Sequence, residues 1–233
     1  MVITTTRHGV RLSQHGVVVS EVRALPGPTH SVFDVLAALI SELAPPGRIG
    51  VLGFAAGGMM APLAALDWTR PFDAVDLDGD SFKIFRQVCP QWVERVRWHQ
   101  SDAAVWLGRQ RANFSLLLDD LSVPEGGDVF KPAVSYAALP PLIQRRLQPG
   151  GIALFNLLLS PGDTWTRSLA VIARGYQAVR LIHLDDFQNR LVVAGEALPS
   201  AQVLGRQLRQ ALRQIRSRQA ERLQIESIFG DAS

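Results

Sequence analysis

Arg48-Ile-Gly-Val-Leu-Gly-Phe-Ala-Ala-Gly-Gly58 is the stretch that decides how this chain is read. The apolar run Ile49 to Leu52 enters a turn containing Gly53, Gly57 and Gly58, and a second apolar run, Met59 to Leu66, leaves it. The pattern is strand, glycine turn, helix. Glycine tolerates φ > 0 and carries no side chain, so the backbone of such a turn can come close to a nucleotide. The helix beyond it offers unpaired N–H groups and a positive dipole end to an anion. About twenty residues on, Phe72-Asp-Ala-Val-Asp-Leu-Asp78 reads as a second strand ending in carboxylates, the place where folds of this kind hold a ribose. Ala55 stands where the strict G-x-G-x-x-G pattern has its middle glycine, so the turn alone also fits tight strand–helix packing. Asp76, in the right order behind it, favours the nucleotide reading.

Outward from this unit, strand and helix alternate. Strands are expected near 48–53, 72–77, 95–99, 114–119 and 151–158, and helices near 57–67, 80–88, 103–110 and 133–147. Ser31 to Leu43 precedes them as a helix with Val32, Val35, Leu36, Leu39, Ile40 and Leu43 on one face. This order predicts a parallel sheet with helices on both faces. Gly162 to Arg174 is expected to be a further helix. Ala178 to Leu184 and Arg190 to Ala194 are expected to be strands joined by the short Asp185–Asn189 connection, which suits an antiparallel hairpin. A doubly wound, mostly parallel, seven-stranded sheet closed by such a hairpin is the class I methyltransferase fold, a Rossmann-like α/β architecture. Residues 1–30 read as a short N-terminal β segment with a turn at His15-Gly, 31–199 as the nucleotide-binding domain, and 200–233 as a basic C-terminal helix. The apolar stripe of that helix is Val203, Leu204, Leu208, Leu212 and Ile215.

In an open parallel sheet the ligand lies beyond the carboxyl ends of the strands. Those ends carry Gly53 to Gly58, then Asp76 and Asp78, then Asp102, then Asp119 and Asp120. A carboxylate can accept from both ribose hydroxyls, and another from an adenine amino group. Any one acid at a strand end fits ordinary surface polarity; so many in sequence call for a cation or several donors between them.

Composition narrows the alternatives. Hydrophobic residues are 47% of the chain and charged ones 19%, which calls for a packed core rather than disorder. No apolar run is long enough to span a bilayer, and the N-terminus lacks the pattern of a secretory signal, so a cytoplasmic protein with no membrane partner is expected. A single cysteine, Cys89, excludes an internal disulfide, and the five scattered histidines show no metal-ligand spacing, so no metal is expected. The net charge of +3 resides in residues 200–233, with six arginines against three acids, and the rest of the chain is neutral. A nucleic-acid contact would have to use that tail, and the simpler reading of its arginines is a solvated helix face.

From about residue 10 to 195 the chain resembles the spermidine synthase family. Leu12 to Glu21 is similar to the end of the family's N-terminal β domain, and Ser31-Val-Phe-Asp-Val to its Ser-Tyr-Gln-Glu-Met helix start. Val51 to Gly58 resembles its glycine motif, Val75-Asp-Leu-Asp78 its ribose-binding strand end, and Ser101-Asp-Ala103 its adenine-binding acid. Asp120-Leu-Ser-Val-Pro-Glu-Gly126 resembles its Asp-Ser-Ser-Asp-Pro-x-Gly loop, and Phe130 and Leu147 to Ile152 continue the match. The resemblance implies a cofactor-binding set of Gly53, Ala55, Gly57, Gly58, Asp76, Leu77, Asp102 and Ala103. It implies Asp120 as the proton acceptor, and Phe33, Asp34 and Val123 at the acceptor. It also implies a small-molecule acceptor and a homodimer.

The departures point away from polyamines. The family's glycine motif has an acid where this chain has Ala56; that acid faces the aminopropyl amine and repels the carboxylate of S-adenosylmethionine. Its Tyr-Gln pair is Val32-Phe33 here, and the second acid of its loop is Val123, although Asp34 and Asp120 survive. Burying an ammonium beside Val and Phe without its counter-charges costs several kcal/mol. The donor half is kept and the polyamine half rewritten. The expected function is therefore methyl transfer from S-adenosylmethionine to a small molecule. The alternatives are aminopropyl transfer from decarboxylated S-adenosylmethionine and a nucleotide-binding module that transfers nothing.

Overall fold

The computed structural model describes residues 2–14, 17–125, 128–160 and 162–229. The expected turn at His15-Gly16 and the Gly126 end of the acidic loop lie outside the described residues. The chain opens with β1 (Val2–Thr6), β2 (Gly9–Gln14) and β3 (Val17–Arg23), a three-stranded antiparallel sheet. Ser31 then caps α1 (Val32–Leu43) by accepting the Phe33 N–H at 3.3 Å.

The alternation follows. It comprises β4 (Ile49–Leu52), α2 (Met60–Ala65), β5 (Phe72–Asp76), α3 (Gly79–Val88), β6 (Val96–Gln100), α4 (Ala103–Arg109) and β7 (Phe114–Asp119). A small hairpin, β8 (Val123–Glu125) and β9 (Asp128–Phe130), precedes α5 (Val134–Ala137), α6 (Leu139–Arg146) and β10 (Leu147–Leu157). The chain then runs through α7 (Trp165–Ala173), β11 (Ala178–Leu184), β12 (Phe187–Gly195), α8 (Ala201–Gln214) and β13 (Leu223–Phe229).

The main sheet has eight strands in the order β13-β11-β12-β10-β7-β4-β5-β6. β6, β5, β4, β7 and β10 are parallel, and β12 is antiparallel to both β10 and β11. The order reverses between β4 and β7, which places the ligand crevice at the carboxyl ends of those two strands. Side chains alternate between two cores, one on each face. Ile49, Val51, Leu116, Leu118 and Leu154 pack with α1, α2 and α8, whereas Leu52, Leu117 and Phe155 pack with α4, α6 and α7.

One expectation on the C-terminal segment is corrected. The helix expected over 200–225 ends at Gln214. Arg216 takes a left-handed conformation (φ 60°), the Ser217 hydroxyl caps a 3₁₀ turn at Arg218–Glu221, and the chain then pairs antiparallel with β11 as β13. The seven expected strands are thus joined by an eighth. The apolar stripe of α8 is placed as expected, with Leu204, Leu208 and Leu212 buried. No helix among the described residues is long and apolar enough to cross a membrane.

Candidate functional site

A cavity of about 820 Å³ opens at the switch point between β4 and β7. Its floor is the strand ends: Gly53, Phe54 and Ala55 after β4, Asp76 at the end of β5 with Leu77 and Asp78 beyond it, Ser101 to Ala103 after β6, and Asp120 to Val123 after β7. Val32 and Phe33 of α1, together with Ser20 and Glu21 of β3, line it from the N-terminal side.

The glycine turn and the β5 acid are bonded to each other. Gly53 (φ 88°) donates its N–H to the Val75 carbonyl at 2.8 Å, and a Cβ on Gly53 would lie 2.7 Å from the Asp120 backbone. Only glycine brings the turn that close to the end of β7. The Ala55 N–H donates to Asp76 Oδ2 at 2.7 Å, and Asp76 Oδ1 accepts the Asp78 N–H at 3.0 Å. Asp78 in turn caps α3 through the Asp80 N–H. Asp102 caps α4, accepting the Val105 N–H at 2.8 Å, while its neighbours Ser101 and Ala103 line the cavity with it.

Gly57 and Gly58 do not line the cavity; they make room for rings. A Cβ on Gly57 would lie 2.7 Å from Phe54 Cζ, and one on Gly58 2.7 Å from the Phe33 ring. The second half of the glycine motif therefore leaves room for the Phe33 ring, which lines the cavity. Ala56, where the resembled family has an acid, is fully buried and does not line the cavity.

Asp34 is also placed elsewhere. It is fully buried, with Oδ1 accepting the Thr29 N–H and hydroxyl at 2.7 Å each and Oδ2 accepting the His30 N–H at 2.8 Å. It shapes the entry to α1 and offers nothing to an acceptor. Phe33 and Val123 do line the cavity, as does the 68%-exposed Leu77, whose apolar side chain lies open at the mouth.

Asp120 lines the cavity just beyond the end of β7. Its Oδ1 accepts from Asn156 Nδ2 at 2.7 Å, and Asn156 Oδ1 accepts from Asn189 Nδ2 at 2.8 Å. The carboxyl keeps some surface in the cavity but is surrounded by protein at longer range. Burial pushes it up to about 7, reinforced by the nearby charges of Asp119 and Asp76 and opposed by the Asn156 hydrogen bond and the Lys131 charge. Asp119 points away into the core, where Lys131 Nζ meets Oδ1 at 2.8 Å and the Ser135 hydroxyl reaches it at 3.2 Å. Asn156, Asn189, Glu21 and Lys131 belong to none of the motifs that mark the site in the sequence. The one local signal was Asn156, a polar residue inside the apolar run of β10. Among the described residues six carboxylates line the cavity (Glu21, Asp76, Asp78, Asp102, Asp120 and Asp128), and no Lys, Arg or His does. Among the described residues no group of three or more His, Cys, Asp or Glu is arranged to hold a metal ion.

Sheet order, switch-point cavity and strand-end acids together define a class I methyltransferase fold. No protein-family model and no curated protein matches the chain. In structure it is similar to human methyltransferase-like protein 13 in complex with SAH, with a TM-score of 0.60 and 20% identity over 80% of this chain and 91% of that one. It is similar to spermidine synthase from Thermotoga maritima, with a TM-score of 0.63 and 12% identity over 83% of this chain and 67% of that one. A spermidine synthase in complex with the transition state analogue AdoDATO gives a TM-score of 0.61 at 11% identity, over the same shares of 83% and 67%. Identities this low establish the fold and leave the chemistry to the site.

Proposed function

We propose that this protein binds S-adenosylmethionine and transfers its methyl group to a small-molecule acceptor. The observation that carries the reading is the cavity itself, with Asp76 and Asp102 on one side, Asp120 on the other, and the Gly53 turn between. The adenosine half of the donor fits these residues: Asp76 retains lone pairs for ribose hydroxyls beyond the two backbone N–H groups it holds, and Asp102 and Leu77 suit an adenine edge and face. When bound, the donor supplies an electrophilic methyl carbon on a sulfonium, a leaving group that needs no protonation. The protein's part is then to position the acceptor and exclude water. Asp120, pushed up to about 7, is suited to take the proton that the acceptor gives up as the new bond to carbon forms. The human neighbour in complex with SAH supports this reading.

A second reading, aminopropyl transfer, is favoured by one observation. Among the described residues no Lys, Arg or His lines the cavity, so the carboxylate of an intact methionine moiety finds no cationic side chain among them, whereas a decarboxylated donor needs none. Calorimetry with S-adenosylmethionine, its decarboxylated form and methylthioadenosine separates the two. Binding of S-adenosylmethionine within about tenfold of the decarboxylated donor, a difference of about 1.4 kcal/mol, supports methyl transfer. A preference above about a hundredfold for the decarboxylated donor, with spermidine formed from putrescine, establishes the second reading. No binding of any of the three by folded protein overturns both.

A further inference from the structure

Asp120, Asn156 and Asn189 come from three adjacent strand ends or strands, β7, β10 and β12, and their polar atoms form one line: Asn189 Nδ2 to Asn156 Oδ1 at 2.8 Å, then Asn156 Nδ2 to Asp120 Oδ1 at 2.7 Å. An ionised carboxylate can only accept, so the Asn156 amide must turn its NH₂ toward Asp120. Its carbonyl oxygen then faces β12. Asn156 is only 7% exposed, so that oxygen depends on a protein donor, and Asn189 supplies it. Without this donor the Asn156 amide is free to turn over and set its carbonyl against the carboxylate, which replaces attraction by repulsion.

We propose that Asn189 is a positioning residue: by fixing the Asn156 amide it holds Asp120 Oδ1 and leaves Oδ2 as the oxygen presented to the acceptor. The proposal rests on the transferase reading for what Asp120 does, but the relay itself is a property of the unliganded protein. The groups facing Asp120 are Asn156 from β10, Asp119 from β7, Asp76 from β5 and Lys131 from the segment after β9. Of these, Asn156 is the one hydrogen-bonded to the carboxylate, so the direction of its amide decides whether the hydrogen bond favours or opposes the charged form. The hairpin of β11 and β12 thereby acts on the site through a side chain two residues into β12.

The test is the titration of Asp120 in the full chain labelled with ¹³C at aspartate carboxyls, without donor or acceptor, the resonance being assigned by its loss in Asp120→Asn. Asn156→Leu is expected to raise the apparent pKa of Asp120 by about one pH unit, the size of one modest charge-assisted hydrogen bond. Asn189→Leu, which leaves Asn156 in place, is expected to shift it in the same direction by roughly half a unit or more. Gln188→Leu, a neighbouring cavity residue outside the relay, is expected to leave it unchanged. An Asp120 titration unmoved by Asn189→Leu overturns the proposal, whether or not Asn156→Leu moves it. If circular dichroism shows that Asn189→Leu is misfolded, Asn189→Ala, which also lacks the donor, is judged by the same criterion. Because no nucleotide is present, failure here leaves the transferase reading standing, and failure of nucleotide binding leaves the relay standing.

Discussion

The backbone N–H of Ala55 donates to Asp76 Oδ2 at 2.7 Å, so the turn after β4 is tied to the acid that ends β5. One carboxylate both closes the glycine turn and faces the cavity. Asp76→Ala is expected to weaken nucleotide binding by about 2–4 kcal/mol, because ribose hydroxyls lose a charged acceptor and the turn loses its brace. Asp78→Ala removes the cap of α3 and is expected to cost about 1 kcal/mol of stability with a much smaller effect on affinity. Calorimetry and urea denaturation on both variants test the division; equal losses of affinity would show that Asp78 shares the ribose.

Ala55 holds its hydrogen bond from a left-handed conformation, φ 46°, which a residue with a Cβ adopts at a cost. Ala55→Gly is expected to stabilise the fold by about 0.5–1 kcal/mol, relief of strain outweighing the added freedom of the unfolded chain. A shift of the urea midpoint to higher concentration at constant m-value is the expected result, and a lower midpoint would contradict it.

Asp120 makes stability depend on pH in a defined direction. Its carboxyl is pushed up to about 7 from an ordinary value of 3.8, so between those values the folded state binds more proton than the unfolded chain. The contribution of this group therefore favours folding below about pH 4 and declines as pH rises through about 7. Asp120→Asn removes that dependence. Relative to wild type, the variant is expected to gain stability between pH 5 and pH 8, as read from urea midpoints. An unchanged difference between the two proteins across that range would show that the carboxyl titrates normally.

Lys131 and Asp119 form a buried pair with both side chains fully enclosed, next to the site and not in it. Lys131→Met leaves an uncompensated buried carboxylate and is expected to cost about 3–5 kcal/mol. The double variant Lys131→Met/Asp119→Leu is expected to recover most of that loss, which a double-mutant cycle measures. A single variant within 1 kcal/mol of wild type would mean that Asp119 finds other donors.

How much of this was readable follows from which interactions are local. The β4 turn, the order of strands and helices and the acids at strand ends are written in short apolar periods and glycine placement, and the sheet follows them. β13 is not expected from the sequence, although Leu223 and Ile225 alternate with Gln224 and Glu226, because the break after the 3.6-residue stripe of α8 is made by Arg216, which is neither Gly nor Pro. Asp34 was visible as an acid, but its three donors come from the backbone and side chain of Thr29 and the backbone of His30, geometry that a residue pattern does not carry. The pairing of Asn156 with Asn189 and of Lys131 with Asp119 depends on which strands become neighbours, so neither has a signature in the sequence around it.

Gln219 Nε2 donates to the His30 carbonyl at 3.0 Å across a separation of 189 residues, just before the cavity residues of α1. That contact has a kinetic meaning. Strands β4, β5 and β6 meet through connections of modest length, whereas the rim beside α1 closes only when the 3₁₀ turn before β13 reaches back to a segment formed near the start of the chain. Pairing so distant in sequence bears the largest loop-closure cost and comes late. During refolding β4, β5 and β6 are thus expected to gain hydrogen-exchange protection before the segment that joins His30 to Gln219, leaving an interval in which a compact chain holds the strand-end side of the cavity with no finished wall opposite it.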